Sequence, residues 1–236
     1  MRALVIAMLL AGCQRTHPAR DLDRDLIRVS TDARLRTDTV GGAKSAYPIA
    51  PGASAEIRAY LEGLDAGHQF SGDATFVLVD AENTGHDGAN ITLGGDLRDA
   101  SGTAVGTLKP ESLWVPAGEQ RTFALVDSER HARPTASAAR LVVRGAVIPA
   151  QPPLAHIDEP KSYDDYGKVV LQGTLVNEAD RRGQIIVFAS FHDAGGRPMT
   201  RPFSLIPVEP HSRTPLQFVG PQDSKRGALF VGESLY

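Results

Sequence analysis

Apolar residues along this chain recur at every second position or in short unbroken runs, and Gly, Pro, Asp and Asn bound most of them. ATFVLVDAEN (74–83) and KVVLQGTLVN (168–177) read as strands, partly alternating and partly continuous. NITLGGDLRDASG (90–102) and IIVFASFHDAGG (185–196) end in Asp-Ala-x-Gly, while RTFALV (121–126) and PLQFV (215–219) follow turns marked by proline. An Asp that can bond the backbone ahead of it, followed by a Gly that accepts positive φ, suits a tight reversal. Strands spaced by about 8 to 12 residues with such turns predict an antiparallel β-sandwich.

The pattern occurs twice. An offset of 94 places Asn83 on Asn177, Ile91 on Ile185, Asp99-Ala100 on Asp193-Ala194, Gly102 on Gly196 and Pro116 on Pro210. An offset of 88 then places ARLVVRGAVI (139–148) on GALFVGESLY (227–236), so the second copy has the shorter loop, where DSERHARPTASAA gives way to GPQDSKR. Between the copies lies the proline-rich stretch PAQPPLAHIDEP (149–160). Proline fixes φ and favours extended backbone, so this stretch reads as a semi-rigid hinge between units that fold separately. The expected fold is all-β, with two tandem Ig-like sandwiches at 57–149 and 150–236. About 23 Gly and 16 Pro with only 6% aromatic residues agree with short strands and many turns.

The first residues follow another plan. Met1-Arg2 carry one positive charge, Ala3 to Ala11 are continuously apolar, and Gly12 precedes Cys13, the only cysteine in the chain. Nine helical residues rise about 14 Å, roughly half of what a bilayer core requires, so the segment predicts a signal peptide and not a span. Leu10-Ala11-Gly12-Cys13 resembles a bacterial lipobox. The resemblance implies removal of residues 1–12, diacylglyceryl attachment to the Cys13 thiol and acylation of the new amino terminus. Two or more acyl chains hold a protein stably at a membrane. Gln14 follows the cysteine in place of Asp, which by resemblance to enterobacterial lipoproteins points to the outer membrane. Residues 13–56 are the lipidated terminus and a polar tether. LIRVSTDARLRT alternates enough to offer an alternative, in which part of this segment pairs with the following sandwich.

VLQGTLVNEADRRGQIIVFASFHDAGGRP, its proline-marked turn and GALFVGESLY resemble the FxLYD-type Ig-like domains of bacterial surface and lipid-anchored proteins. Gly95-Asp96-Leu97-Arg98-Asp99 and Ala189-Ser190-Phe191-His192-Asp193 stand where that family has aromatic-Leu-Tyr-Asp.

Candidate chemistry changes this picture little. The chain contains no GxSxG, GxxxxGK[ST] or HExxH, and its histidines (17, 68, 86, 131, 156, 192, 211) never fall at HxH or HxxxH spacing. They are expected as scattered surface residues. His192-Asp193 could serve as a base and its orienter, but Arg98-Asp99 occupies the same column of the repeat, which favours turn chemistry. Asp96, Asp99 and Ser101 do not meet the calcium-loop pattern, and Asp164-Asp165 reads as a solvated loop. Trp114, the only tryptophan, is expected as a core plug or strand-end anchor, since a single ring with no Tyr or Trp beside it makes a poor sugar clamp. A net charge of −3 gives no basic footprint for nucleic acid. The expectation is a non-catalytic, lipid-anchored envelope protein without cofactor or metal, held at the membrane through Cys13 and meeting an envelope protein or cell-wall partner. A carbohydrate- or peptidoglycan-binding module is the alternative, and an envelope hydrolase a more distant one.

Overall fold

The computed structural model describes residues 18–41, 47–48 and 72–236. The chain is all-β: the described residues form antiparallel sheets and no α-helix, with one turn of 3-10 helix at Arg24–Leu26. The first sandwich holds β1 (Arg20–Asp21), β2 (Ile27–Val29), β3 (Arg34–Gly41), β4 (Tyr47–Pro48), β5 (Gly72–Asn83), β6 (Ala89–Arg98), β7 (Ala104–Val115), β8 (Gln120–Val126) and β9 (Ala138–Ile148). One of its sheets has the order β1-β9-β6-β7. The other sets β2, β3 and β8 against β5, with β4 outside β3. The second sandwich follows with β10 (Ala155–Asp165), β11 (Lys168–Asn177), β12 (Gly183–His192), β13 (Pro198–Thr200), β14 (Phe203–Val208), β15 (Arg213–Val219) and β16 (Arg226–Leu235). Its sheets are β10-β11-β15 and β13/β14-β12-β16.

The repeat is visible bond for bond. Asn83 donates from Nδ2 to the carbonyls of Asp87 and Val115 and accepts from the Gly85 N–H. Asn177 donates to the carbonyls of Arg181 and Glu209 and accepts from the Ala179 N–H. Each asparagine is fully buried and ties a strand end to two loops. Asn83→Ala strands three backbone groups, and we expect a loss of about 2 kcal/mol in urea-melt stability, with a change below about 0.5 kcal/mol refuting this role. The two reversals match as well. Asp99 accepts from the Ser101 and Thr103 N–H groups and Asp193 from the Arg197 N–H, with Gly102 at φ 84° and Gly196 at φ 79°. The Ser101 hydroxyl, and then the Thr103 amide, hold the Asp99 carboxyl below the usual carboxylate range. The Arg197 amide does the same for Asp193.

The tether expectation changes between residues 20 and 41. β2 pairs Ile27 with Asn83 and β3 pairs Arg34 with Leu78, so together they form one edge strand along β5, interrupted at 30–33. β10 lies on β11 in the same way, pairing Ala155 with Asn177 and Lys161 with Gln172 across a bulge between Asp158 and Lys161. Each copy needs this strand to cover its second strand, and the first takes it from the polar N-terminal segment. Asp164 and Asp165 end β10, and the Asp164 carboxylate accepts the Gly167 N–H of a hairpin turn, so they belong to a strand end and not a loop.

β12 is buried on both faces. Ile185, Val187, Ala189 and Phe191 point into the core of their own sandwich. Ile186 and Phe188, joined by Phe230 of β16, belong instead to the apolar cluster that also contains Val77, Val79, Phe123 and Leu125 of the first sandwich. A strand covered on both sides reads as an unbroken apolar run, as IIVFASF does. The two sandwiches therefore share apolar packing, and burying each of these side chains is worth on the order of 2 kcal/mol.

Candidate functional site

The junction between the sandwiches gathers the charged chemistry. His192, the last residue of β12, shares the parity of Ile186 and Phe188 and so faces the first sandwich. Its Nε2 lies 2.9 and 3.1 Å from the two carboxylate oxygens of Asp80 on β5, and both side chains are 6% exposed. The facing oxygens require the imidazole proton on Nε2. The Thr122 hydroxyl donates to the same carboxylate at 2.5 Å, and the buried Nδ1 has no hydrogen-bond partner among the described residues. The expectation of a surface histidine thus fails for His192. Column logic held for Asp193, which is the turn residue, but not for its neighbour, because alternation sends the two side chains to opposite sides.

Arg201 forms the second pin. Its side chain is wholly buried, and its guanidinium forks onto the Glu111 carboxylate of β7 at 2.8 and 3.0 Å. It also donates to the Thr122 carbonyl at 2.9 Å, while Glu111 accepts the Ala124 N–H at 2.7 Å. The free edge of β8 is thus closed by an Arg–Glu pair standing where another strand would be, one way in which proteins keep edge strands from pairing elsewhere. The same guanidinium lies 4.1 Å over the Phe188 ring. A third tie runs from Arg36 on β3 to the Met199 carbonyl.

Beside these pins a cleft of about 790 Å³ opens between the sandwiches. Trp114 at the end of β7, Tyr236, the prolines of the inter-unit stretch and Arg121, Glu178 and Arg181 line it. Trp114 packs against Gly88, where an added Cβ would sit 2.3 Å from the indole, so the ring is held at the strand end. Tyr236 donates its hydroxyl to the Asn177 side chain and carries the Arg181 guanidinium 5.0 Å above its ring. No sequence spacing could join residues 114 and 236. Their proximity follows from the docking of one copy on the other.

Asp127, Glu129 and His131 form a group of possible metal ligands whose atoms lie within 4.8 Å of one another. Arg133 already meets their charge: it bonds Asp127 at 3.1 and 3.2 Å and also pairs with Glu129. Those bonds, Asp127 first, raise the Arg133 pKa further above its ordinary range. Cys13, the expected lipid site, lies outside the described residues, as do His17 and His68. No helix among the described residues is long and apolar enough to cross a membrane. Neither protein-family models nor curated proteins match the sequence.

Proposed function

We propose that this chain is a non-catalytic, lipid-anchored protein of the bacterial cell envelope, a reading taken from the address at its N-terminus and from the two packed sandwiches that follow it.

 The observation that carries the reading is Leu10-Ala11-Gly12-Cys13 at the end of a short apolar segment. Diacylglyceryl on Cys13 would hold the mature chain at the membrane, and Gln14 favours the outer one. The position of β1 supports a head held close to the bilayer: from Cys13 to Arg20 an extended chain reaches at most about 25 Å. The docked sandwiches then act as one body with a fixed outer surface, suited to meeting a protein or cell-wall partner. Metabolic labelling with a palmitate analogue in a bacterial host tests the anchor. The wild type should take up label and lose residues 1–12, while Cys13→Ala should remain unlabelled and unprocessed. Equal labelling of the two would refute the assignment.

A further inference from the structure

The cleft between the sandwiches carries two half-exposed aromatic walls and a balanced set of charges. Trp114 is fixed against Gly88, and Tyr236 is fixed by its hydroxyl bond to Asn177 and by Arg181 over its ring. Both walls are therefore set before any ligand arrives, which reduces the ordering that binding would require. Arg121 is paired with Glu119 at 2.6 Å, whereas Glu178 makes no side-chain hydrogen bond or ion pair among the described residues. Two acids and two arginines in one cleft leave no net field to select an anion or a cation. A purely apolar ligand would desolvate these groups without pairing them, which disfavours it. The complementary ligand is neutral, has flat apolar faces for the rings, and carries many hydroxyl and amide groups for the carboxylates and guanidiniums.

We propose that this cleft binds a neutral, N-acetylated amino-sugar chain, with pyranose faces on Trp114 and Tyr236, polar groups on Glu178 and Arg181, and acetyl methyls against Pro152 and Pro153. That such a chain would be cell-wall glycan rests on the envelope reading above; the binding itself does not. Sequence alone argued against a sugar clamp because Trp114 had no aromatic neighbour, and the docking of the second copy supplies one.

Trp114 is the sole tryptophan, so its emission reports the cleft directly. The full chain, in micelles of a detergent without a sugar headgroup, is titrated with tri-N-acetylchitotriose. A saturable shift in emission is expected, with Glu178→Gln weakening binding at least tenfold while leaving the thermal melt unchanged. Calorimetry on Trp114→Phe, which keeps a ring against Gly88, should show a weakening of at least fivefold. No shift up to about 10 mM, enough to fill even a millimolar site, would overturn the proposal. So would equal binding by wild type and Glu178→Gln, or a response to a proline-rich peptide and none to the saccharide. Lipid labelling at Cys13 is independent of this titration, so either reading can fail without the other.

Discussion

Arg201→Ala is expected to destabilise the chain by about 3–4 kcal/mol and to lower its melting temperature by about 10 °C. The guanidinium is wholly buried and forks onto Glu111, so truncating it leaves a largely buried carboxylate with no cation and the Thr122 carbonyl with no donor. It also removes the planar group packed over Phe188. Replacing Arg201 and Glu111 together by Met should recover part of the loss, since two charges leave the interior at once. Recovery stays incomplete because the Ala124 N–H, which Glu111 now accepts, is left open at the edge of β8. Calorimetric melts of the two variants and the wild type check this. A shift below about 1 °C for Arg201→Ala would show that water or a neighbouring group replaces the pair.

The second expectation concerns the second sandwich by itself. A fragment of residues 150–236 should self-associate or precipitate at concentrations where the whole chain stays dispersed. Separation uncovers Ile186, Phe188 and Phe230, with Phe203 and Leu205 packed beside them, on one face of the β13/β14-β12-β16 sheet. An apolar patch of this kind on a separated unit is an association surface. It also strips His192 of Asp80. Sedimentation of the fragment is the measurement, and a stable monomer would show that the shared face is dispensable. A chain beginning near residue 55 should suffer similarly, because it lacks β2 and β3 and exposes the long edge of β5.

Much of the architecture could be read from the sequence because it is local. Strand alternation, the Asp-Ala-x-Gly reversals and the repeated asparagines each depend on a few neighbouring residues, and the shorter second loop does lie between β15 and β16. The candidate site was hidden because it depends on how one copy rests on the other. Glu111 and Arg201 meet across 90 positions, and Asp80 and His192 across 112. One signal was present. In IIVFASFH the positions that should face solvent in an independent sandwich are Ile186, Phe188 and Ser190, and two of these three are large and apolar. The edge strand of the first copy was obscured differently: its mixed charges suit a strand with one face in water as well as they suit a coil.

The two equivalent edge strands reach their partners by unequal routes, and this bears on the order of assembly. β10 and β11 are joined by Tyr166 and Gly167 alone, whereas residues 42–71 separate β3 from β5. Closing the longer connection costs about 2 kcal/mol more in chain entropy, before any contact made across it can compensate. The hairpin of the later copy can therefore zip as soon as it is made, while the earlier copy must still bring distant segments together. During that interval the apolar outer face of β12 has no surface to rest on. When the whole chain starts unfolded, as on dilution from denaturant, the later copy is therefore expected to close first and to wait with that face uncovered.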